Sequence, residues 1–173
     1  GLAFIGYMVK THLELNNNPN FPVTTPKTVV LCTDLFDEFM EANNLYPVAL
    51  SERDDEDILK HFLAAKLPKR LVSDFLVFFD AIDSPIAIRS SSLLEDSQYQ
   101  PFAGIYSTYM IPYVDDKYEM VRLLSNAIKA VYASVFYRDS KSYMAATHNL
   151  IDQEKMAIVL QEVVGSQYES QFY

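Results

Sequence analysis

Cysteine is nearly absent from this 173-residue chain, in which Cys32 stands alone. No disulfide can form within one molecule, which suits a reducing, cytoplasmic compartment. Cations are scarce as well: 14 Lys and Arg face 23 Asp and Glu, for a formal charge of −9. Such a surface repels a phosphate backbone, and no Lys/Arg stripe with interleaved aromatics is present to release counterions, so nucleic acid is excluded as a partner. Nowhere do about 18 apolar residues run together, and the first residues lack the basic region, apolar run and small-residue cleavage site of a secretion signal. Neither a membrane span nor a leader is expected. Internal repeats and low-complexity tracts are also missing.

What is present is material for one core. Half of the residues are hydrophobic, 21% are charged, and 11 Phe and 12 Tyr supply large apolar surfaces. That composition can offset the conformational entropy of folding, over a length that suits a single domain. The chain opens at Gly1 directly on Leu2-Ala3-Phe4-Ile5 and stops at Gln171-Phe172-Tyr173. Both ends are expected to be fragment boundaries.

The periodicities mix two types. Leu2, Ile5, Val9 and Leu13 recur about one turn apart and predict a helix that runs out at Asn16-Asn17-Asn18-Pro19. Lys27 to Thr33 reads as a strand, with Cys32 as a buried, inert thiol, followed by a helix carrying Leu35, Phe36, Phe39 and Met40 and capped by Thr33 or Asp34. Ser51-Glu52-Arg53-Asp54-Asp55-Glu56-Asp57 predicts another helix start, with Ser51 as the cap and carboxylates over the first turn. Consecutive acids there fan around the axis and do not converge on a metal. A helix after Pro68 buries Leu71, Phe75, Phe78 and Phe79, and a long amphipathic helix from Asp115 carries Met120, Leu124, Ile128 and Val131. A shorter helix comes around Ser140 to Thr147, then a buried strand, Lys155 to Gly165, ending on polar Gln161 and Glu162. The expected class is α+β, a mixed β-sheet flanked by helices.

The segment that packing does not explain is Pro85-Ile86-Ala87-Ile88-Arg89-Ser90-Ser91-Ser92, an apolar strand that ends in an arginine and three hydroxyls. After a polar loop come Phe102-Ala103-Gly104 and a second strand, Ile105 to Pro112, so the pair predicts a hairpin-like lid. A nucleotide triphosphate needs cationic and N–H donors for its phosphates, a strand edge beside an apolar slot for its purine, and acids for magnesium. Arg89 offers a fixed fork of donors, Ser90 to Ser92 offer hydroxyls, and Gly104 lets backbone approach a ligand. Taken singly, a structural ion pair accounts for Arg89 and a turn accounts for Gly104. The combination carries the signal.

Ile86-Ala87-Ile88-Arg89-Ser90-Ser91-Ser92, Glu95-Asp96, Phe102-Ala103-Gly104 and Thr108-Tyr109 resemble, in order and spacing, the "VAVRSS…ED…FAG…TY" signature of the ATP-binding domain of the phosphoenolpyruvate synthase and pyruvate phosphate dikinase family. Met156 to Val164 is similar to the family's "MAVVVQ.MV" strand. Gly1-Leu2-Ala3 is similar to the residues just after its lysine-containing loop, and Pro26 through Phe39 resembles its "VPPGF…T..AF..F" stretch without the usual glycine. The resemblance implies part of an ATP-grasp type domain, truncated at both ends, spanning residues 1–173. It implies ATP contacts from Arg89, Gly104, Thr108 and Gln161, with Glu162 lining the site.

The resemblance places the family's phosphate-binding lysine before Gly1 and its magnesium-binding acids after Tyr173. It also implies a phosphohistidine domain elsewhere in the parent chain, through which phosphate passes to pyruvate. His12, His61 and His148 do not sit in the Thr-Ser-His-Ala type setting of that histidine. Antibiotic- or glucan-phosphorylating relatives share the ATP module, and a non-catalytic nucleotide-binding module is the reading from another class. The isolated chain is expected to be inactive and prone to self-association through the face where its missing portion packs.

Overall fold

A computed structural model of the chain describes residues 2–12, 23–92, 95, 104–147, 154–168 and 171–172. Its elements, in chain order, are helix α1 (Leu2–Thr11), strand β1 (Thr28–Leu31), helices α2 (Thr33–Ala42), α3 (Tyr46–Ala49), α4 (Asp55–Ala64) and α5 (Arg70–Phe79), strands β2 (Ile86–Ser92) and β3 (Tyr109–Ile111), helices α6 (Lys117–Ser134) and α7 (Arg138–Ala146), strand β4 (Met156–Glu162), and the two-residue strands β5 (Gln167–Tyr168) and β6 (Gln171–Phe172). The class is α+β. No helix among the described residues is long and apolar enough to cross a membrane.

Four strands form one sheet in the order β1-β4-β2-β3, antiparallel throughout. The register sets Thr28 and Ala87 on either side of Gln161, Ile86 opposite both Glu162 and Ile111, and Ile88 opposite Leu160 and Tyr109. Side chains alternate between faces along a strand, so this register sorts the sheet into two surfaces. On the inner one Leu31, Ile86, Ile88, Ile111, Met156, Ile158 and Leu160 are all buried. They pack against α2 and α6. The outer one carries Thr28, Val30, Ala87, Arg89, Met110, Val159 and Gln161, with Met110 70% and Val30 51% exposed.

Behind the inner face sits an aromatic cluster. Phe36 meets Tyr132 edge to face at 5.0 Å and stacks on Phe136 at 6.3 Å, while Phe39 and Phe62 meet at 6.0 Å. Each fully buried ring contributes about 1.5–3 kcal/mol from area alone, and well-oriented pairs add ~0.5–1.5 kcal/mol. The cluster ties α2, α4 and α6 together and makes a rigid backing for the sheet.

Several local expectations need correction. Cys32 is exposed, because β1 is an edge strand and the chain leaves the sheet at its end to enter α2. Cys32 itself occupies the cap position of α2, with no side-chain cap bond, in place of Thr33 or Asp34. The cap of α4 is Asp54, which accepts from the Asp57 N–H at 2.8 Å, and Ser51 instead bonds the Val48 carbonyl. Asp116 caps α6 by accepting from Tyr118 N and Glu119 N, worth about 1 kcal/mol. Phe78 is half-buried, whereas Leu71, Phe75 and Phe79 are buried as expected. The expected strand 105–112 shrinks to Tyr109–Ile111, for a reason that lies in the site. Leu13, Asn16 to Pro19, Asp96, Phe102, Ala103 and His148 fall outside the described residues.

Candidate functional site

The end of β2 is where the sheet changes chemistry. Ile86 and Ile88 point inward, so Ala87, Arg89 and Ser91 point outward. The β2–β3 ladder ends at Ile88 opposite Tyr109, which leaves Arg89 and Thr108 facing each other one step further on. On the other flank of β2, Ala87 is opposite Gln161. A hollow of about 340 Å³ opens over this corner of the outer face, lined by Arg89, Thr108, Gln161, Glu162, Met110 and Val164 among others. Residues far apart in the sequence therefore meet on one surface because antiparallel register aligns them.

Among the described residues lining the hollow, Arg89 is the only cation, and no described residue pairs with it. Its guanidinium is free to receive an anion. The Gln161 side-chain amide lies 3.4 Å from the Thr28 hydroxyl, and that hydroxyl donates to the Pro26 carbonyl at 3.0 Å. Glu162 is committed elsewhere: its carboxylate accepts from Lys27 N–H at 3.2 Å and from Ser84 at 3.3 Å, and pairs with the Lys27 ammonium at 3.5 Å. Lys27 in turn donates to the Ala81 carbonyl at 2.6 Å. Glu162 therefore borders the hollow while bracing the β1 and β2 entries against β4. No other carboxylate is among the described lining residues, so the hollow itself offers poor ligands for magnesium.

Gly104 does not line this hollow. Its φ of +82° lies in the left-handed region, and a Cβ there would touch nothing within 4 Å. The glycine answers a backbone requirement in a turn, and no described group crowds it. The three serines divide by parity. Ser91 shares the outer face with Arg89, whereas Ser90 donates to Glu95 at 2.9 Å and Ser92 is buried with its N–H bonded to Glu95 at 3.2 Å. Counting alternate positions from buried Ile86 would have separated them from sequence alone.

Two side chains carry no signal in the sequence. Tyr106, 5% exposed, donates its hydroxyl to the carboxylate of Glu154, itself 8% exposed, at 3.1 Å. Burial pushes the Glu154 carboxyl above its ordinary range, and the neighbouring Glu95 charge adds to the effect, while bonds from Ser92 and Tyr106 oppose it. Burial likewise pushes the Tyr106 phenol up. Tyr106 is thus drawn inward where the expected strand would have had it alternate, and the strand begins only at Tyr109.

Larger hollows exist, and their chemistry differs. One of about 910 Å³ between the starts of α4 and α7 is lined by Glu52, Asp54, Asp55 and Glu56. Of its three cations, Arg53 is taken by Asp57 and Lys141 by the Ser51 carbonyl, which leaves the Arg138 side chain beside four carboxylates, so it is poorly suited to a polyanion. Another, of about 990 Å³, lies between α1 and the outer sheet face and shares Pro26 with the Arg89 hollow. Its lining includes Lys10, Lys27 and Tyr7, so the surface beside Arg89 continues beneath α1.

With this geometry in place, the likenesses to other proteins are informative. The family described as "Pyruvate phosphate dikinase, AMP/ATP-binding domain" matches residues 8–170. The uncharacterized phosphotransferase YvkC of Bacillus subtilis (strain 168) is similar at 29% identity over 142 residues, 82% of this chain and 16% of the relative. The chain therefore spans about a sixth of that relative's length.

Proposed function

The chain belongs to the pyruvate phosphate dikinase AMP/ATP-binding domain family, and on that premise we propose that it holds ATP for a phosphoenolpyruvate synthase type reaction, in which phosphate passes through a histidine on another domain to pyruvate. The observation that carries this reading is the corner of the outer sheet face. There an arginine of β2 with no partner among the described residues, a threonine just before β3 and a glutamine near the end of β4 line one hollow.

Each residue has a role that its chemistry supports. Arg89 binds phosphate oxygens with a planar, permanently charged fork. Thr108, directly across, adds a hydroxyl to the same oxygens. Gln161 offers an amide acceptor and donors to a purine edge, beside the apolar Met110 and Val164. Gly104 acts through the turn that delivers the chain to Thr108, and Glu162 by holding the end of β4 in place.

A hollow of 340 Å³ is at the small end for a nucleotide site and accommodates part of ATP. We take the remainder to lie across the continuing outer face, under a second portion of an ATP-grasp type domain. The exposed Val30, Met110 and Val164 support such a cover, since they would otherwise leave an apolar surface in water. In the isolated chain that surface would favour self-association. Magnesium, if it accompanies ATP here, takes its ligands from outside the described lining.

The test is chemical. The full-length protein incubated with magnesium-ATP and pyruvate should form phosphoenolpyruvate and an acid-labile phosphoenzyme. ATP consumption with phosphoryl transfer to an antibiotic or a glucan instead would replace the acceptor. Failure of the full-length protein to bind ATP at all would overturn the reading.

A further inference from the structure

The polar groups behind the hollow are as organised as those within it. Ser92, 6% exposed, lies three residues beyond Arg89, and Tyr106 lies two residues before Thr108. The Ser92 hydroxyl accepts from Glu95 N–H at 3.3 Å, and the pairing of Ser92 with Met156 sets Glu154, two residues before Met156, beside this end of β2. Glu95 closes the loop by accepting from the Ser90 hydroxyl and the Ser92 N–H. The next residue after Tyr106 is anchored separately, as Ser107 N–H donates at 3.1 Å to the Ser134 hydroxyl, which itself donates to the Val131 carbonyl at 2.7 Å.

We propose that Ser92, Glu95, Tyr106 and Glu154 are positioning residues for nucleotide binding: they latch the turn that starts at Gly104 onto the end of β2 and thereby fix the separation of Arg89 and Thr108. The functional half of this inference rests on the nucleotide reading above. The structural half stands on the bonds themselves.

A buried polar cluster of this kind contributes little net stability compared with apolar side chains of the same volume, because every group gives up its hydration. What it supplies is a single geometry. Hydroxyls and carboxyls bond at defined distances and angles, whereas apolar contacts tolerate sliding. Thr108 sits beyond the last β2–β3 pair, so no ladder hydrogen bond holds it against Arg89. The cluster, with the Ser107 anchor, does that instead.

The inference is tested on the full-length protein by measuring ATP affinity and amide hydrogen exchange in Tyr106→Phe, Glu154→Gln, Glu154→Leu and Arg89→Ala. Tyr106→Phe and Glu154→Leu should weaken ATP binding roughly 5–30-fold, the loss of one or two buried hydrogen bonds. Glu154→Gln, whose amide oxygen still accepts from Tyr106, should stay within about threefold of wild type. Exchange at residues 104–108 should rise in Tyr106→Phe, with or without nucleotide, while the β2–β4 ladder stays protected.

Tyr106→Phe binding ATP like wild type while Arg89→Ala loses affinity would overturn the inference and leave the nucleotide reading standing. Unchanged affinity in both would overturn the reading and the positioning role together. Unchanged exchange at 104–108 in Tyr106→Phe would overturn the latch whatever the nucleotide does. Equal losses in Glu154→Gln and Glu154→Leu would do so as well, because charge and not bonding geometry would then be at stake.

Discussion

Replacing Arg89 with alanine separates binding from folding more cleanly than any other change at the site. The guanidinium is exposed and has no partner among the described residues, so its removal breaks no described intramolecular bond. The stability change should stay within about 0.5 kcal/mol, a melting shift of roughly 2 °C or less for a chain of this size. Binding should respond very differently. A charge-assisted contact to phosphate is worth about 1.5–3 kcal/mol, which at ~1.4 kcal/mol per decade is a loss of roughly 10–150-fold in ATP affinity. No second cation among the described lining residues can take over. Arg89→Lys keeps the charge and loses the fork, so it should recover about half of that free energy and bind roughly 3–12-fold more weakly than wild type. Titration calorimetry of the full-length protein, with melting curves of the same samples, measures both quantities. Affinity within threefold of wild type would refute the phosphate role. A melting temperature lower by more than about 5 °C would show that Arg89 is a structural ion-pair partner instead.

Gln161→Ala should raise the Michaelis constant for ATP more than it lowers turnover, the pattern of lost binding shared by ground and transition states; steady-state kinetics showing collapsed turnover at constant Michaelis constant would move Gln161 to another role. Phe36→Ala removes a fully buried ring from contacts with Tyr132 and Phe136, and should cost about 3–5 kcal/mol, a fall of roughly 6–20 °C by calorimetry. Glu154→Gln concerns pH. The folded carboxyl holds its proton more tightly than an unfolded one, so the wild type is fully stabilised below the ordinary glutamate range and loses stability as pH rises through the raised value. The glutamine variant lacks that loss, so its melting temperature relative to wild type should climb from pH 4.5 to pH 8, and a constant difference would contradict the buried placement.

Local patterns made much of this fold legible. The apolar runs of β2 and β4 and the helical spacing of Phe36, Phe39 and Met40 mark their elements because burial on a defined face forces periodicity. What stayed hidden was set by distant partners. Cys32 comes after three apolar residues and still ends exposed, since only the sheet order reveals that β1 has a neighbour on one side alone. Tyr106 leaves its expected strand for Glu154, 48 positions away. Asp54 rather than Ser51 caps α4, a three-residue offset within a polar stretch where either residue satisfies the same rule. Arg89, Thr108 and Gln161 stand out as candidates through a family resemblance and through polar residues ending apolar strands. Their convergence on one hollow required the register, which no local pattern encodes. The division of Ser90, Ser91 and Ser92 was legible in principle, because parity with Ile86 and Ile88 is already present in the sequence.

The position of β4 has a consequence for how the molecule comes into being. β1 and β2 share no hydrogen bonds, and each is joined to the sheet through a strand that comes later in the chain than both of them. The contact between Thr28 and Gln161 closes across 133 positions, so β1 must wait until that much more chain has been made before it meets its neighbour. The aromatic cluster, assembled from α2, α4 and α6, is complete well before then and can hold the helices as a preformed cradle. A nascent chain that stops short of residue 156 has the cradle and the β2–β3 hairpin, but also two open strand edges that await the same insert. Such edges pair readily with other chains, which makes this the interval in which a chaperone has most to protect.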